Sequence, residues 1–224
     1  MKAPVIVAID GPSGAGKSTV AKMVARSLGV PYIDTGAMYR AVGLAAREAG
    51  IGLPITEPEA VARLAESLSI EIETGPEMRV VLDGRDVTEA IRASEISRYA
   101  SAVSAIPDVR RRLVAEQRRL AGERGGVMEG RDIGTKVFPG TPHKFFLTAS
   151  LPVRAERRAA ELASRGRRQP YAEVLAEMEK RDRDDRTRSE SPLTCDESYV
   201  VVDSTGREAA AVAGEIERRV RGAG

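Results

Sequence analysis

Apolar positions along the chain fall into two textures, short unbroken runs and longer stretches in which they recur at helical spacing. Val5 to Asp10 is the first run and reads as a buried parallel strand; Lys17 to Leu28 follows as a helix, with Val20, Val24 and Leu28 on one face. GVPYID predicts a second short strand ending at Asp34, and TGAMYRAVGLAAREAG predicts a helix stopped by Gly50. Another helix is expected over Glu57 to Leu68. From Ile70 to Val87 the texture becomes alternation: IEIE, a TGPE turn and MRVVLDGRDV predict a small antiparallel hairpin inserted into the chain. Helical spacing returns from Asp108 to Leu120. GGVMEGRD is a strand candidate, a loop with Pro139, Gly140 and Pro142 follows, and KFFLTA is the next apolar strand. Pro152 opens an arginine-rich helix to Ser164, RGRRQP interrupts it, and Tyr171 to about Arg186 forms another before the strand YVVVD and a C-terminal helix. Strands alternating with helices predict a doubly wound three-layer α/β sheet, which binds ligands at the C-terminal ends of its strands.

Composition narrows the chemistry. A chain of 224 residues allows one domain of good size that buries its core without disulfides, and 42% hydrophobic with 30% charged residues is the balance of a soluble globular protein. A single cysteine, Cys195, cannot form an internal disulfide and reads as inert. A single histidine, His143, between a proline turn and a strand, reads as a loop or edge residue and excludes a histidine metal cluster. The apolar residues before Asp10 are too few for a signal peptide or a membrane span, so the expected location is the cytoplasm. Net charge is only +2, but the basic residues are nearly all arginine and concentrate between Arg110 and Arg188. With 4% aromatics and no tryptophan, stacking platforms for nucleic acid are scarce, whereas arginine aimed at small phosphates fits the composition.

The stretch DGPSGAGKST carries the sharpest signal. Gly11, four residues, then Gly16, Lys17 and Ser18 satisfy G-x-x-x-x-G-K-[ST] between a predicted strand and a predicted helix. Glycines let the backbone curl until successive N–H groups face inward as an anion nest, and the helix adds the positive end of its dipole. Such a loop holds polyphosphate: Lys17 reaches the β and γ phosphates, and the Ser18 hydroxyl ligates Mg²⁺ bridging them. The glycine spacing does not read G-x-G-x-x-G, which excludes a dinucleotide fingerprint.

Four other stretches are candidates for a second substrate. In DTGAMYR, Thr35 and Arg40 lie near the end of the second strand, where they either receive a phosphate or serve as a helix cap and a solvated arginine. In GRDIGT, Arg131 and Asp132 emerge at the C-terminal edge of a strand, as ligand-binding residues or as a salt-bridged loop. In RDRDDRTR, helical geometry puts Arg181, Asp185 and Arg188 on one face, able to grip a sugar and phosphate or to stand as a solvated ion-pair row. Arg154, Arg157 and Arg158 line one side of a helix, and with RGRRQP behind them they resemble a closing lid. Asp10 either supports Mg²⁺ at one remove or caps the turn. Glu129, at its strand end, either lies near the metal or is a plain strand-end charge.

IDGPSGAGKST, DTGAMYRAVG, GRDIGTKVFP and RDRDDRTRSESPL together resemble the bacterial cytidylate kinases, over nearly the whole chain. The resemblance implies Mg²⁺-dependent phosphoryl transfer from ATP to CMP or dCMP by a P-loop fold with a five-stranded parallel sheet. It also implies a nucleotide-binding insert at about residues 36–105, with its hairpin at about 70–87, and a lid at about 154–170. Carried over position by position, Gly11, Pro12, Ser13, Gly14, Ala15, Gly16, Lys17, Ser18 and Thr19 bind the ATP phosphates. Thr35, Arg40, Arg131 and Arg188 surround the CMP phosphate, with Tyr39 also at the substrate. Ser101, Arg110 and Asp132 meet the cytosine ring, Arg181 and Asp185 hold the sugar, and Arg157 and Arg158 belong to the lid. Lys17, Arg131, Arg188, Arg157 and Arg158 are the expected catalytic set, and Ser18 the expected metal ligand. Glu129 departs from the aspartate expected before Gly-Arg-Asp, and its longer side chain changes any metal contact there.

A phosphate acceptor is already a nucleophile, so no base is required, in keeping with one histidine. The class leads us to expect a monomer acting on small molecules, without a nucleic-acid or membrane partner. Two competing readings are another small-molecule P-loop kinase, which needs a base if its acceptor is a hydroxyl, and a nucleotide-dependent RNA-binding module, which lacks the aromatics it needs.

Overall fold

A computed structural model describes residues 4–73, 78–122, 124–164, 166–188 and 190–222. Its elements are β1 (Ile6–Asp10), α1 (Lys17–Leu28), β2 (Tyr32–Asp34), α2 (Thr35–Glu48), α3 (Pro58–Ser67), β3 (Ile70–Glu73), β4 (Arg79–Leu82) and β5 (Arg85–Asp86). After a 3₁₀ turn at Ala90–Arg92 come α4 (Ser94–Val103), α5 (Pro107–Ala121), β6 (Gly126–Gly130), a π turn at Ile133–Val137, β7 (His143–Thr148), α6 (Leu151–Ser164), α7 (Tyr171–Thr187), β8 (Val200–Asp203) and α8 (Ala209–Gly222). The main sheet is five-stranded, in the order β2-β6-β1-β7-β8, with β1 parallel to β7 and β7 parallel to β8. The chain divides into two compact units, 1–5 with 31–126 and 6–30 with 127–224.

The first unit is built around α2, whose Met38, Val42 and Leu44 are buried. Helix α4 packs on it where Gly43 lacks a side chain; a Cβ there would stand 2.9 Å from the Tyr99 Cβ and 3.0 Å from the Ala100 nitrogen. The sequence reading passes over α4, although Ile96, Tyr99, Ala100 and Val103 are buried at helical spacing. The alternating segment forms a three-stranded antiparallel sheet, one strand more than expected, because the Asp83–Gly84 turn sends Arg85 and Asp86 back beside Leu82 and Val81. Ile70, Ile72, Val80 and Leu82 bury one face of it. The expected TGPE turn, Thr74 to Glu77, lies outside the described residues.

The second unit carries the core of the main sheet, with Val7, Ile9, Phe145, Leu147 and Val202 buried. β1 and β6 are buried almost throughout, as helices on both faces require, whereas β7 and the edge strand β8 are buried only at alternate or single positions. Helices α6 and α7 pair through a small core of Ala155, Leu162, Val174 and Met178. No helix among the described residues is long and apolar enough to cross a membrane.

Candidate active site

The turn between β1 and α1 is shaped by close backbone approach. Gly11 has φ 151°, and a Cβ on it would fall 2.0 Å from the Leu147 carbonyl oxygen, so no side chain fits there. The turn's carbonyls are tied down one after another. Lys17 Nζ donates to Pro12 O at 2.8 Å, Arg154 Nη1 to Ser13 O at 3.0 Å, and Ser204 Oγ to Ala15 O at 2.9 Å. With these three carbonyls engaged by donors, the loop is suited to offer an incoming ligand its amides, an anion-binding surface. Helix α1 begins after Gly16 without a side-chain cap, leaving its positive end to the same surface.

Lys17 is buried beside a mixed cluster from the other strand ends and α7. Burial, then the Arg131 guanidinium and more weakly Arg181, lower its pKa to about 7, against the opposing pull of Glu129 and Asp185. Asp185 is the hub. It accepts from Arg131 Nε at 2.8 Å, and its other oxygen lies 3.7 Å from Arg188 Nη1. Burial alone would raise its pKa, but Arg131, Arg181 and Arg188 outweigh this and hold the carboxyl below its ordinary value. Arg188 stands just past the end of α7 and is fixed by donating Nε to Ser191 O at 2.7 Å. Asp132, the second residue after β6, is buried, and Glu129 is buried within the strand.

A testable consequence follows from the lysine. A phosphate binds the ammonium form, and in the free protein that form is half populated near pH 7. Above this pH, ATP must bring a proton with it. Calorimetry at pH 8 in two buffers of different ionisation heat should show uptake approaching one proton per ATP, with affinity falling as pH rises; no uptake would contradict the arrangement. The sign for the ligand-free fold is opposite. Its lysine holds fewer protons than the unfolded chain between about 7 and the ordinary 10.5, so this group's contribution to stability rises with pH across that window.

Asp10 has an assignable task. Its buried carboxylate accepts from the backbone nitrogens of Ile133 at 2.9 Å and Gly134 at 2.8 Å, and from the Tyr199 hydroxyl at 2.7 Å. It therefore pins the π turn that follows Arg131 and Asp132 to the last residue of β1. Burial still pushes its pKa up, with the three donors opposing. The bonds Asp10 makes are those of a cap, and the turn they cap is the one after β6.

In the first unit, the cap of α2 is Asp34, not Thr35. Asp34 accepts from Ala37 N at 3.1 Å and from Arg40 Nη2 at 2.5 Å, while Thr35 is the buried first residue of the helix. A separate group joins Tyr39, Arg110 and Ser101. The Arg110 guanidinium lies 5.2 Å from the Tyr39 ring centroid and donates to Ser104 O at 3.0 Å, and the Ser104 hydroxyl donates to Ser101 O at 2.8 Å.

The row of arginines on α6 divides. Arg157 donates to Ser204 Oγ at 3.0 Å and to Ser204 O at 2.8 Å, whereas Arg158 pairs with Glu161 at 2.8 Å along its own helix. Arg154, expected in the lid row, is instead buried and bonded to Asp182, because it lies on the face of α6 turned to α7. Arg165, in the loop behind, lies outside the described residues. The sequence reading overlooks Asp34, Asp182, Tyr199 and Ser204. Only Asp34, an aspartate immediately ahead of a helical pattern, carries a local signal.

A phosphate loop ending in a buried lysine, beside one arginine from a strand end of a parallel sheet and one from the end of α7, both paired with a single carboxylate, defines a P-loop kinase. The fold alone is shared with an uncharacterized protein from Eubacterium ventriosum ATCC 27560, at a TM-score of 0.53 and 13% identity over 97% of this chain and 98% of that one. The Cytidylate kinase family model matches residues 7–221. Cytidylate kinase of Desulfitobacterium hafniense (strain Y51) is 49% identical over 206 residues, covering 92% of this chain and 88% of that protein. Cytidylate kinase of Symbiobacterium thermophilum is 45% identical over 218 residues, 96% of each. The chain belongs to the cytidylate kinase family.

Proposed function

We propose that the protein transfers the γ-phosphate of ATP to CMP or dCMP, giving ADP and CDP or dCDP. The observation that carries this reading is the phosphate loop with Lys17 beside the Arg131–Asp185–Arg188 cluster, in a chain of this family. Gly11 to Thr19 cradle the ATP phosphates, and Lys17 moves its ammonium from Pro12 O to the β and γ oxygens. Arg131 and Arg188 take the acceptor phosphate together with Thr35 and Arg40. Asp185 keeps both of its arginines aimed, and with Arg181 it holds the sugar. Ser101, Arg110 and Asp132 select cytosine, with Tyr39 stacked against Arg110 to fix its angle. Arg157 and Arg158 shield the transfer from water.

Mg²⁺ fits the residues present. Among the described residues no group of three or more His, Cys, Asp or Glu forms a cage, and Mg²⁺ at such sites takes its ligands from phosphate oxygens, water and one or two protein oxygens. The Ser18 hydroxyl, exposed at the start of α1, is suited to hold it, and the buried Glu129 is a carboxylate whose charge is felt at the neighbouring Lys17. When bound, it neutralises charge on the β and γ phosphates.

The acceptor is tested by ADP release with ATP, Mg²⁺ and each of CMP, dCMP, UMP, AMP, GMP and shikimate. CMP and dCMP should support turnover best, because a base without the matching amine leaves buried polar groups unpaired. Asp132→Ala should raise KM for CMP while leaving that for ATP near normal. Equal losses for both nucleotides, or a preference for another acceptor, would overturn the assignment.

A further inference from the structure

The buried pair Arg154–Asp182, in the second unit, has no part in the assignments above. Arg154 lies in the first turn of α6 and spends its guanidinium on three segments. Nε donates to Ala149 O at 2.9 Å and Nη2 to Asp182 Oδ2 at 2.6 Å, while Nη1 donates both to Asp182 Oδ1 at 3.2 Å and to Ser13 O at 3.0 Å. The two-pronged pairing fixes the plane of the fork, so Nη1 cannot follow one partner without tilting against the other. Ser13 belongs to the phosphate loop. Asp182 follows Arg181 directly and stands one helical turn before Asp185, which carries Arg131.

The same junction is tight at Gly14, where a Cβ would come within 2.9 Å of Met178 Cε on α7 and 3.0 Å of Arg154 O. A shift of the loop is therefore felt by both helices. Stability does not explain the pair well, since apolar residues of similar volume serve a core as well as or better than a buried ion pair.

We propose that Arg154 and Asp182 are positioning residues that link the phosphate loop to α7, so that filling the donor site and seating the acceptor nucleotide on Arg181, Asp185 and Arg131 are energetically coupled. The inference rests on the functional reading above and adds a route by which one nucleotide prepares the site of the other.

The test is calorimetric titration of CMP into the protein with and without Mg²⁺ and the β,γ-imido analogue of ATP. Wild type should bind CMP about fivefold or more tightly with the analogue present, and linkage requires CMP to improve analogue binding by the same factor. Arg154→Lys keeps the charge and loses the fork; Asp182→Asn keeps the shape and loses the charge. Each should bind CMP alone within about threefold of wild type while the enhancement drops below about twofold. Should Arg154→Lys fail to unfold cooperatively, Asp182→Asn carries the test. Unchanged enhancement in the folded variants, no enhancement in wild type, or a loss of CMP affinity equal with and without the analogue overturns the proposal. ADP release by wild type with ATP and CMP separates the two ideas: its absence sinks the functional reading, and its presence with unaltered coupling sinks only the linkage.

Discussion

Lys17→Met is expected to lower turnover by about a thousandfold or more, because it removes the ammonium that the phosphate loop itself carries at its end, where charge shifts during transfer. The fold should tolerate it. In the ligand-free protein the lysine is buried, its pKa lowered to about 7 by burial and by Arg131, so its charge opposes folding at neutral pH. Methionine fills a similar volume without that charge. The lost bond to Pro12 O is the offsetting cost, about 1 kcal/mol. Thermal unfolding of the variant should therefore occur no lower than that of wild type, while steady-state ADP release nearly vanishes. A variant that keeps more than about a tenth of wild-type turnover would take Lys17 out of the mechanism.

The contrast between a lost activity and an undisturbed fold reflects which parts of the molecule are written locally. The phosphate loop is legible because its chemistry lies within nine consecutive residues, and glycine at Gly11 answers a contact with Leu147 O that any side chain would violate. The α1 boundaries, Lys17 and Leu28, are legible for the same reason: a loop motif precedes the helix and Gly29, in the left-handed conformation, ends it. Helix α4 is the counterexample. Its SEISRYASAV sequence has the right spacing, but three serines and the β-branched residues weaken its propensity, and packing on α2 at Gly43 supplies what the local sequence does not. The third strand of the small sheet was hidden in the same way, since Arg85 and Asp86 are two exposed charged residues whose pairing depends on the Asp83–Gly84 turn.

The electrostatic partners are the least legible part. Arg131 and Asp185 are 54 positions apart, and Asp10 and Tyr199 are 189 apart. An arginine-rich composition announces that carboxylates will be needed without saying which ones. RDRDDRTR illustrates the difficulty: Asp184 pairs with Lys180 on the exposed face of α7, Asp182 turns in to Arg154, and Asp185 turns to Arg131. A one-residue change of phase would exchange a surface pair for a buried one.

Asp185→Asn puts that distinction to a test with a large expected effect. The carboxylate offsets Arg131, Arg181 and Arg188 together, and asparagine can still accept from Arg131 Nε while supplying no charge. Breaking one side of a buried ion pair costs about 3–5 kcal/mol, and retention of the hydrogen bond should place this variant near the lower end of that range. The arginines it leaves uncompensated repel one another from the aim they need for the acceptor phosphate, so kcat/KM for CMP should fall by about a hundredfold or more. A second readout isolates the electrostatic cause from loosened packing. Asp185 helps to keep Lys17 protonated, so its neutralisation must lower the pKa of Lys17 further, and ATP binding at pH 7 should take up more protons in the variant than in wild type. A loss of CMP turnover with proton uptake unchanged would mean that Asp185 acts through shape alone and that the charge cluster does not set the protonation state of the phosphate-loop lysine.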